Sequence, residues 1–319
     1  MKVLVTGGAG FIGSHLCDAL LVLNHEVVCL DNFDTFYDPN LKRQNILSSS
    51  KKNTFKLVQA SILDSSGLDT LFSQERFDLV VHLAAKAGVR PSIEDPLSYQ
   101  KVNVEGSLNI LEQLRKHKVM KFLFASSSSV YGNNKKVPYS ETDVVDFAIS
   151  PYAATKKAGE VLAYTYHHLY GIHTTCLRFF TVYGPRQRPE MAIRYFTDRI
   201  MTGKPIVLFG DGGSLRDYTF IDDIVHGIMA AINHLDGFEI LNLGESKTTS
   251  LKNLVKLLEN ALKKEAIIEY KPMQPGDVDQ TYANIDKARR LISYNPQISI
   301  ENGIQKFVEW YLADKSNAR

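Results

Sequence analysis

A tyrosine and a lysine four residues apart, Tyr152 and Lys156, are the residues of this 319-residue chain best suited to proton transfer. Ser150 and Pro151 precede them as an N-cap and first-turn residue would, so both side chains are predicted on one helix face. A tyrosine with a pKa of about 10 is a weak base at neutral pH, but a nearby ammonium stabilises the phenolate. The pair therefore predicts a general base assisted by a cation.

Four consecutive serines strengthen this interpretation, because Tyr-x-x-x-Lys alone also arises by chance on exposed helix faces. The serines at 126–129 follow the apolar segment 121–125, which predicts a strand. The carboxyl ends of parallel strands face the ligand in an open α/β sheet. Serines at this place are therefore expected to supply hydroxyl groups to a site.

A glycine-rich turn predicts a phosphate site. Gly7, Gly10 and Gly13 lie between a strand predicted at 3–5 and a helix predicted at 11–23. Glycines permit a tight turn and let backbone N–H groups approach a pyrophosphate at a helix N-terminus. The spacing G-x-x-G-x-x-G differs from the G-x-G-x-x-G of ordinary dehydrogenases, so the position after the first strand carries the argument.

Asp31 stands at the end of the second predicted strand, where a carboxylate accepts hydrogen bonds from a ribose 2′-hydroxyl. It would also repel a 2′-phosphate, which favours NAD over NADP. The alternative is an aspartate that only starts a turn before Asn32.

Composition excludes several classes of function. Hydrophobic residues make up 44% of the chain, charged residues 23%, and the formal net charge is +2, which gives no electrostatic case for nucleic acid or an anionic membrane. Cys17, Cys29 and Cys176 follow no metal or redox spacing, and no apolar run reaches the roughly 18 residues of a membrane helix. We expect a cytoplasmic protein without a bound metal.

Six short apolar runs alternate with helical patterns, which is typical of parallel βαβ units. The predicted strands are 3–5, 26–30, 55–58, 78–83, 121–125 and 174–177, with helices at 98–117 and from 150–151 onward. The pattern predicts an α/β fold with a doubly wound parallel sheet of the Rossmann type.

The pattern changes after residue 178. Turn-rich segments alternate with isolated helices at 221–233, 251–263 and 300–312, and a polar tail at 313–319 is expected to fray. We predict an NAD-binding domain at 1–178 and a smaller α/β substrate-binding domain at 179–319, with the chain re-entering the first domain near 218–245.

Four features together resemble the extended short-chain dehydrogenase/reductases that act on nucleotide sugars, over nearly the whole chain. They are the glycine turn, His82-Leu-Ala-Ala85, the serines followed by Val130-Tyr131-Gly132, and Tyr152 with Lys156. The resemblance implies that Tyr152 is the general base, Lys156 holds the nicotinamide ribose and Ser127 shares the proton at the sugar hydroxyl. It further implies NAD contacts from Gly7, Gly10, Phe11, Ile12, Gly13, Asp31, Asn32, Lys42, Ile62, Leu83, Ala84, Ala85, Tyr152 and Lys156.

The serine run discriminates among reactions in this family. Sugar 4,6-dehydratases carry Asp and Glu in the two positions before Val-Tyr-Gly, and UDP-glucuronate decarboxylases carry Glu immediately before it. Here both positions are serines, Ser128 and Ser129. Without an added acid–base group a 4-keto intermediate can only be reduced again, which predicts epimerisation.

Segments 36–43, 86–90, 179–185, 188–191 and 273–277 resemble UDP-glucuronate 4-epimerases in particular. This resemblance implies UDP-sugar contacts from Arg90, Ser127, Ser128, Ser129, Tyr152, Thr181, Arg188, Met191, Arg216 and Asp277. Ser128, Thr181 and Arg188 are the candidates for the substrate carboxylate, with turn hydroxyls and a surface arginine as the alternative. Arg216 is assigned to the diphosphate and Asp277 to the uridine ribose.

Other interpretations stay open. A UDP-glucose or UDP-N-acetylglucosamine 4-epimerase is the alternative enzyme, and a dinucleotide-sensing regulator is the alternative class. Ser61 stands where the family usually has Asp against the adenine, and Gln274 stands where other UDP-sugar epimerases have Arg. The family's usual homodimer pairs the helix from Ser98 with the helix from Tyr152, and Ala153, Ala154, Ala158 and Ala163 are small enough for close packing.

Overall fold

The computed structural model describes residues 1–272 and 278–317, with side chains through residue 314. The strands are β1 (Lys2–Thr6), β2 (Glu26–Asp31), β3 (Phe55–Gln59), β4 (Leu79–His82), β5 (Lys121–Ser127), β6 (His173–Phe179), β7 (Thr181–Tyr183), β8 (Ile206–Phe209), β9 (Leu215–Arg216), β10 (Tyr218–Phe220), β11 (Phe238–Leu243), β12 (Thr249–Ser250) and β13 (Ile268–Lys271).

The helices are α1 (Phe11–Val22), α2 (Pro39–Asn45), α3 (Ser65–Gln74), α4 (Val89–Glu94), α5 (Pro96–Gln100), α6 (Gly106–His117), α7 (Pro151–Tyr170), α8 (Ala192–Met201), α9 (Ile221–Asn233), α10 (Leu251–Leu262), α11 (Asp286–Ile292) and α12 (Ile300–Asn317). A π-helical turn, Lys101–Glu105, joins α5 to α6. Within the described part of the chain, no helix is long and apolar enough to span a bilayer.

Seven parallel strands form the central sheet in the order β11-β6-β5-β4-β1-β2-β3. Side chains alternate across β1, so Val3 and Val5 enter one hydrophobic core while Leu4 enters the other. Helices therefore cover both faces, which explains the continuous apolar character of the central strands. From β1 the chain adds β2 and β3 on one side and β4, β5 and β6 on the other, so the strand order reverses between β1 and β4. Ligands of such sheets bind at this switch point. The predicted doubly wound Rossmann class is confirmed.

The sheet has one strand more than the six predicted. β11 pairs in parallel with β6 at the edge of the sheet. Its first three residues, Phe238, Glu239 and Ile240, are only half-buried, so the segment lacks the apolar run that marks a central strand. A strand supplied by the chain after it has left the sheet depends on a long-range pairing that local pattern does not reveal.

Two predicted ends were wrong. β5 continues through Ser127, two residues beyond the predicted end, so the strand itself carries the first two serines of the run. Helix α12 continues to Asn317, so it includes most of the segment 313–319 that was predicted to fray.

The remaining strands form three two-stranded sheets, β10 with β7, β12 with β9 and β13 with β8. Helix α10 packs against α8 and α12 beside them. The domain boundary at residue 178 stays a prediction.

The glycine turn between β1 and α1 is packed against the end of β4. Gly7 has a φ of +67°, and a Cβ there would lie 2.8 Å from the backbone N of Ala84. The Gly7 N–H donates to the carbonyl of Leu30 over 2.7 Å. A Cβ at Gly13 would overlap the Gly7 carbonyl oxygen and lie 2.7 Å from Gly8 Cα, whereas at Gly10 the nearest atom is 3.2 Å away. The turn therefore closes on itself only with glycine at positions 7 and 13.

We expect Gly13→Ala to lower the free energy of unfolding by about 1–3 kcal/mol, because backbone atoms must move to admit the methyl group. Gly10→Ala is the matched control and should cost less, since only one contact tightens. Urea denaturation of both variants measures the difference. Equal effects would contradict the close packing assigned to Gly13.

Candidate active site

A cleft of about 1860 Å³ opens at the carboxyl edge of the sheet beside the glycine turn. Every residue that the resemblance assigned to NAD lines it: Gly7, Gly10, Phe11, Ile12, Gly13, Asp31, Asn32, Lys42, Ile62, Leu83, Ala84, Ala85, Tyr152 and Lys156. A long cleft that runs from a glycine turn to a Tyr/Lys pair has the form required by an extended dinucleotide.

Asp31 lies at the end of β2 and is buried. Its Oδ1 accepts from the Phe33 N–H over 2.8 Å, and its Oδ2 accepts from the Ala9 N–H over 3.3 Å. The Lys42 ammonium lies 3.4 Å from Oδ1. The carboxylate thus starts a turn and also faces the cleft, so its place in the turn does not exclude the predicted ribose contact. Its oxygens keep further lone pairs for a ribose.

Ser61 also lines the cleft, and its hydroxyl already accepts from the Leu63 N–H over 3.1 Å. The serine is therefore a turn residue at this place, and a hydroxyl supplies no charge to an adenine.

A buried histidine fixes the strand ends below the cleft. The Nδ1 of His82 lies 2.6 Å from the Thr6 hydroxyl, and its Nε2 lies 3.0 Å from the Ser107 hydroxyl. Burial, helped by the charge of Lys156, lowers the pKa of His82 to about 3, so the ring is neutral. The same Thr6 hydroxyl accepts from the Ala84 N–H over 3.2 Å, which links the ends of β1 and β4.

Helix α7 begins where the sequence predicts and presents the Tyr/Lys pair to the cleft. The Ser150 hydroxyl caps it by accepting from the Ala153 N–H over 3.1 Å, and the Tyr152 N–H donates to the Ser92 hydroxyl over 3.1 Å. One turn later, the Lys156 ammonium donates to the Ala125 carbonyl over 2.7 Å. Burial lowers the pKa of Lys156 to about 8.

The Tyr152 hydroxyl lies in a setting with opposed effects on its pKa. Burial has the largest effect and raises the pKa of Tyr152 above its ordinary value, although a hydrogen bond with Ser127 and the charge of Arg188 act in the opposite direction. The Tyr99 ring packs perpendicular to that of Tyr152, with centroids 6.2 Å apart, and the Tyr99 hydroxyl donates to the Ala87 carbonyl. The ring of Tyr152 is therefore packed against that of Tyr99, and Ser127 and Arg188 are the two groups that favour its phenolate.

The serine run ends β5 and turns through a 3₁₀ segment, Ser128–Tyr131. The Ser127 hydroxyl accepts from the Ser129 N–H and donates to the Ser129 hydroxyl, both over 3.1 Å. Ser127, Ser128 and Ser129 all line the cleft. No carboxylate occupies this turn, so the groups available here for contact with a substrate are hydroxyls.

A second cavity, of about 1300 Å³, shares Thr181 with the first. Its wall holds the cations Arg90, Arg216 and Lys271 and the aromatic residues Tyr195, Phe196, Phe209 and Tyr218. The guanidinium of Arg90 lies 4.2 Å from the centroid of the Phe209 ring. Cations beside aromatic faces suit a base and a diphosphate.

The structure divides the predicted substrate residues between the two cavities. Ser127, Ser128, Ser129, Tyr152, Arg188 and Met191 line the cleft, Arg90 and Arg216 line the second cavity, and Thr181 belongs to both. Asp277 and Gln274 lie outside the described residues. Arg188 Nε is 3.1 Å from Glu190 Oε1, so its charge is already partly balanced at the junction.

Lys271 and Asp217 were not among the site residues predicted from the sequence. Lys271 enters the second cavity because β13 pairs with β8, and only its place beside the 273–277 segment could have signalled it. Asp217 follows Arg216 and is fully buried; its carboxylate accepts from the N–H groups of Glu245, Ser246 and Ala283 and from the Thr219 hydroxyl. These bonds tie three segments together directly beside Arg216.

The model of the GDP-mannose 4,6-dehydratase family matches residues 4–307. The chain belongs to this family. A family member with serines at 128 and 129 lacks the carboxyl groups expected of a dehydratase at those positions, which agrees with the reaction predicted from the sequence.

Relatives within the family support the finer resemblance. A UDP-glucuronate 4-epimerase of Thermodesulfobacterium geofontis is 44% identical, over 96% of this chain and 95% of the relative. UDP-glucuronate 4-epimerase 4 of Arabidopsis thaliana is 44% identical, over 98% of this chain and 76% of the relative. The crystal structure of Bacillus cereus UDP-glucuronic acid 4-epimerase with UDP-glucuronic acid and NAD has a TM-score of 0.93 at 38% identity, covering 98% of this chain and 99% of that one. The predicted resemblance to extended short-chain dehydrogenase/reductases is confirmed.

The burial of Lys156 can be tested directly. We expect its ammonium to titrate with a midpoint near pH 8, because desolvation favours the neutral amine. Exposed lysines titrate near pH ~10.4 and provide the internal reference. Side-chain NMR of ¹⁵N-lysine-labelled protein follows both, with Lys156→Gln to assign the resonance. A midpoint at or above pH 10 would contradict the burial of this charge.

Proposed function

We propose that this protein is a UDP-glucuronate 4-epimerase that interconverts UDP-glucuronate and UDP-galacturonate through a 4-keto intermediate, with NAD as a resident cofactor. One observation carries the proposal: Tyr152, Lys156, a carboxylate-free serine turn and Arg188 line one cleft together with Thr181, the residue that this cleft shares with the second cavity. The cleft suits a dinucleotide and the second cavity suits a nucleoside diphosphate, so the junction is where a sugar attached to the diphosphate would lie.

The residues present fit NAD. The glycine turn lines the cleft at the N-terminus of α1, where backbone N–H groups suit a pyrophosphate, and Asp31 offers a carboxylate to the adenosine ribose. Lys156 lies where it can donate to the nicotinamide ribose while it is anchored on Ala125. Bound NAD supplies a reversible hydride acceptor for C4 of the sugar.

Tyr152 accepts the proton of the sugar O4 as the carbon is oxidised, and returns it on reduction. The phenolate is favoured by its hydrogen bond with Ser127 and by the positive charge of Arg188, against the effect of burial. Ser127 shares the proton with the sugar hydroxyl. The 4-keto sugar then turns, so that C4 is reduced on its other face. Because Ser128 and Ser129 cannot act as acid–base groups near neutral pH, the site gives no route to elimination of water.

The carboxylate of a glucuronate creates a hazard, since a 4-keto uronic acid is a β-keto acid that loses CO₂ readily. Decarboxylation requires the bond to the carboxyl carbon to align with the carbonyl π-system. Arg188, Ser128 and Thr181 line the cleft, and Thr181 also lines the second cavity, so these side chains can hold the carboxylate out of that alignment. Their role would be to suppress a side reaction as well as to bind.

UDP-glucose and UDP-N-acetylglucosamine are the competing substrates. The Thermotoga maritima UDP-glucose 4-epimerase structure, determined with UDP-glucose, has a TM-score of 0.90 at 34% identity and covers 99% of this chain and all of that one. Incubation with each of the three UDP-sugars, followed by NMR of the anomeric protons, tests the proposal. Conversion of UDP-glucuronate to a galacturonate signal supports it, and turnover of only the neutral sugars rejects it.

We further propose a cytoplasmic homodimer. The three cysteines are free and buried, which suits a reducing compartment. Leu97 and Leu108 on α5 and α6, and Val161 and Tyr164 on α7, leave apolar area exposed along adjacent helices. Ala153 and Ala163 are fully buried within the chain, as small residues of any buried helix are, so their size does not support the dimer.

Tyr152→Phe should retain the fold and NAD but lose epimerisation by about 10²–10⁴-fold, because general base catalysis is removed while the ring still packs. Tyr99→Phe is the matched control: its hydroxyl donates to a backbone carbonyl, so most activity should remain. Steady-state assays and cofactor content of both purified proteins make the comparison. Residual activity of Tyr152→Phe above a few per cent would contradict the role of Tyr152.

Arg188→Ala should reduce kcat/KM more for UDP-glucuronate than for UDP-glucose. The substitution removes the positive charge beside Tyr152, which slows the reaction of both substrates. Only UDP-glucuronate also loses a charged hydrogen bond to its carboxylate. That bond contributes about 1.5–3 kcal/mol, which corresponds to a ten- to hundred-fold further loss in kcat/KM. Assays on both sugars, with product analysis for a 4-keto-pentose, measure the ratio. Arg216→Ala is the control and should affect both sugars alike. Equal losses for Arg188→Ala would assign Arg188 to a group common to both substrates.

A further inference from the structure

A buried ion pair joins α7 to the sheet beyond the Tyr/Lys pair. Glu160 lies four residues after Lys156 on α7, and its partner is Arg178 of β6. Both side chains are 1% exposed. The Arg178 Nε donates to Glu160 Oε1 and its Nη2 donates to Oε2, both over 2.8 Å. The Ser126 hydroxyl donates to the same Oε1 over 2.6 Å. The carboxylate is thus fixed at both oxygens.

Arg178 also contacts the serine turn. Its guanidinium lies over the ring of Tyr131, 4.9 Å from the centroid, and Tyr131 is the last residue of the turn that begins at Ser128. The Tyr131 hydroxyl donates to Asn242 Oδ1 over 2.6 Å. A single guanidinium therefore touches both the helix that carries Tyr152 and the turn that follows Ser127.

The sheet register makes this arrangement possible. Arg178 is the direct cross-strand neighbour of Ser126 on β5 and of Asn242 on β11. Neighbours in a parallel ladder share one face of the sheet, and α7 packs on β5 and β6. The row of three polar residues lies at the level where β5 ends, one residue before Ser127.

Stability alone gives no reason for such a pair. Burial raises the pKa of Glu160, but the hydrogen bonds and charge of Arg178, with the Ser126 hydroxyl, outweigh it and keep this pKa below its usual range. The free-energy cost of removing two charges from water offsets most of their mutual attraction. Well-packed hydrophobic residues in their place are therefore often neutral or stabilising. What a bidentate pair does provide is a fixed distance and angle between the elements that carry it.

We propose that Glu160 and Arg178 are positioning residues that hold α7, with Tyr152 and Lys156, in a fixed relation to the turn that carries Ser127. The inference rests on the proposed epimerase function for its activity readout. Misplacement of reacting groups by about 1 Å can cost a hundredfold in rate. A loosened pair should therefore slow chemistry more than it weakens binding.

The test replaces both charges by similar volumes, in the double variant Glu160→Met/Arg178→Met. We expect its Tm to stay within a few degrees of the wild type, kcat to fall at least tenfold and KM for UDP-glucuronate to change less than twofold. Backbone hydrogen exchange in the substrate-free protein should quicken at 126–131. Lys116→Met, which breaks the exposed pair with Asp69, is the control and should change none of these. A double variant with wild-type kcat and wild-type exchange overturns the inference.

Two single variants keep the inference testable if the double variant does not fold. Arg178→Lys retains the charge without the two parallel N–H groups, and Ser126→Ala removes one hydrogen bond to Glu160. Each should lower kcat several-fold at unchanged KM, and unchanged kcat in both overturns the inference. If the wild type does not convert UDP-glucuronate, the proposed function fails, and hydrogen exchange at 126–131 alone decides the role of the pair.

Discussion

The buried ammonium of Lys156 donates a hydrogen bond to the carbonyl of Ala125, and the site depends on this interaction. A charge that cannot reach water must find a fixed partner, and this one joins the middle of α7 to the end of β5. Tyr152 lies one turn earlier and Glu160 one turn later on the same helix face, so the position of Lys156 sets both. The cleft, the serine turn and the buried ion pair are arranged around one helix, which is held to β5 through Lys156 and to β6 through Glu160.

Much of this arrangement could be predicted because its signals are local. The glycine turn, the cap of α7 and the serines at the end of β5 each lie within a few residues of one another. Long-range pairing could not be predicted in the same way. β11 was not predicted as a strand, although it lies within the segment 218–245 where the chain was expected to re-enter the first domain, because its partner β6 is distant in the sequence. Lys271 was missed because the pairing of β13 with β8 brings it to the second cavity.

Roles assigned to single residues were incomplete where a side chain makes several contacts. Asp31 was weighed as either a ribose ligand or a turn residue, yet its two oxygens allow both. The small size of Ala153 and Ala163 suits a close helix contact across a dimer and equally a close approach of α7 to its own sheet, and both residues are buried within the chain. Residue type limits what a position can do, whereas the neighbours supplied by the fold decide among the possibilities.

Among the described residues, the cleft and the second cavity share Thr181 alone. In the proposed function, the substrate is held by its nucleotide in one cavity and changed in the other. In the proposed reaction the nucleotide is identical before and after turnover, and the configuration of one sugar carbon is all that differs. Both epimers would then be gripped by the same distant contacts and bound with similar strength. Such an enzyme has no built-in direction. Net flux through it would follow whichever neighbouring reaction supplies one epimer or removes the other.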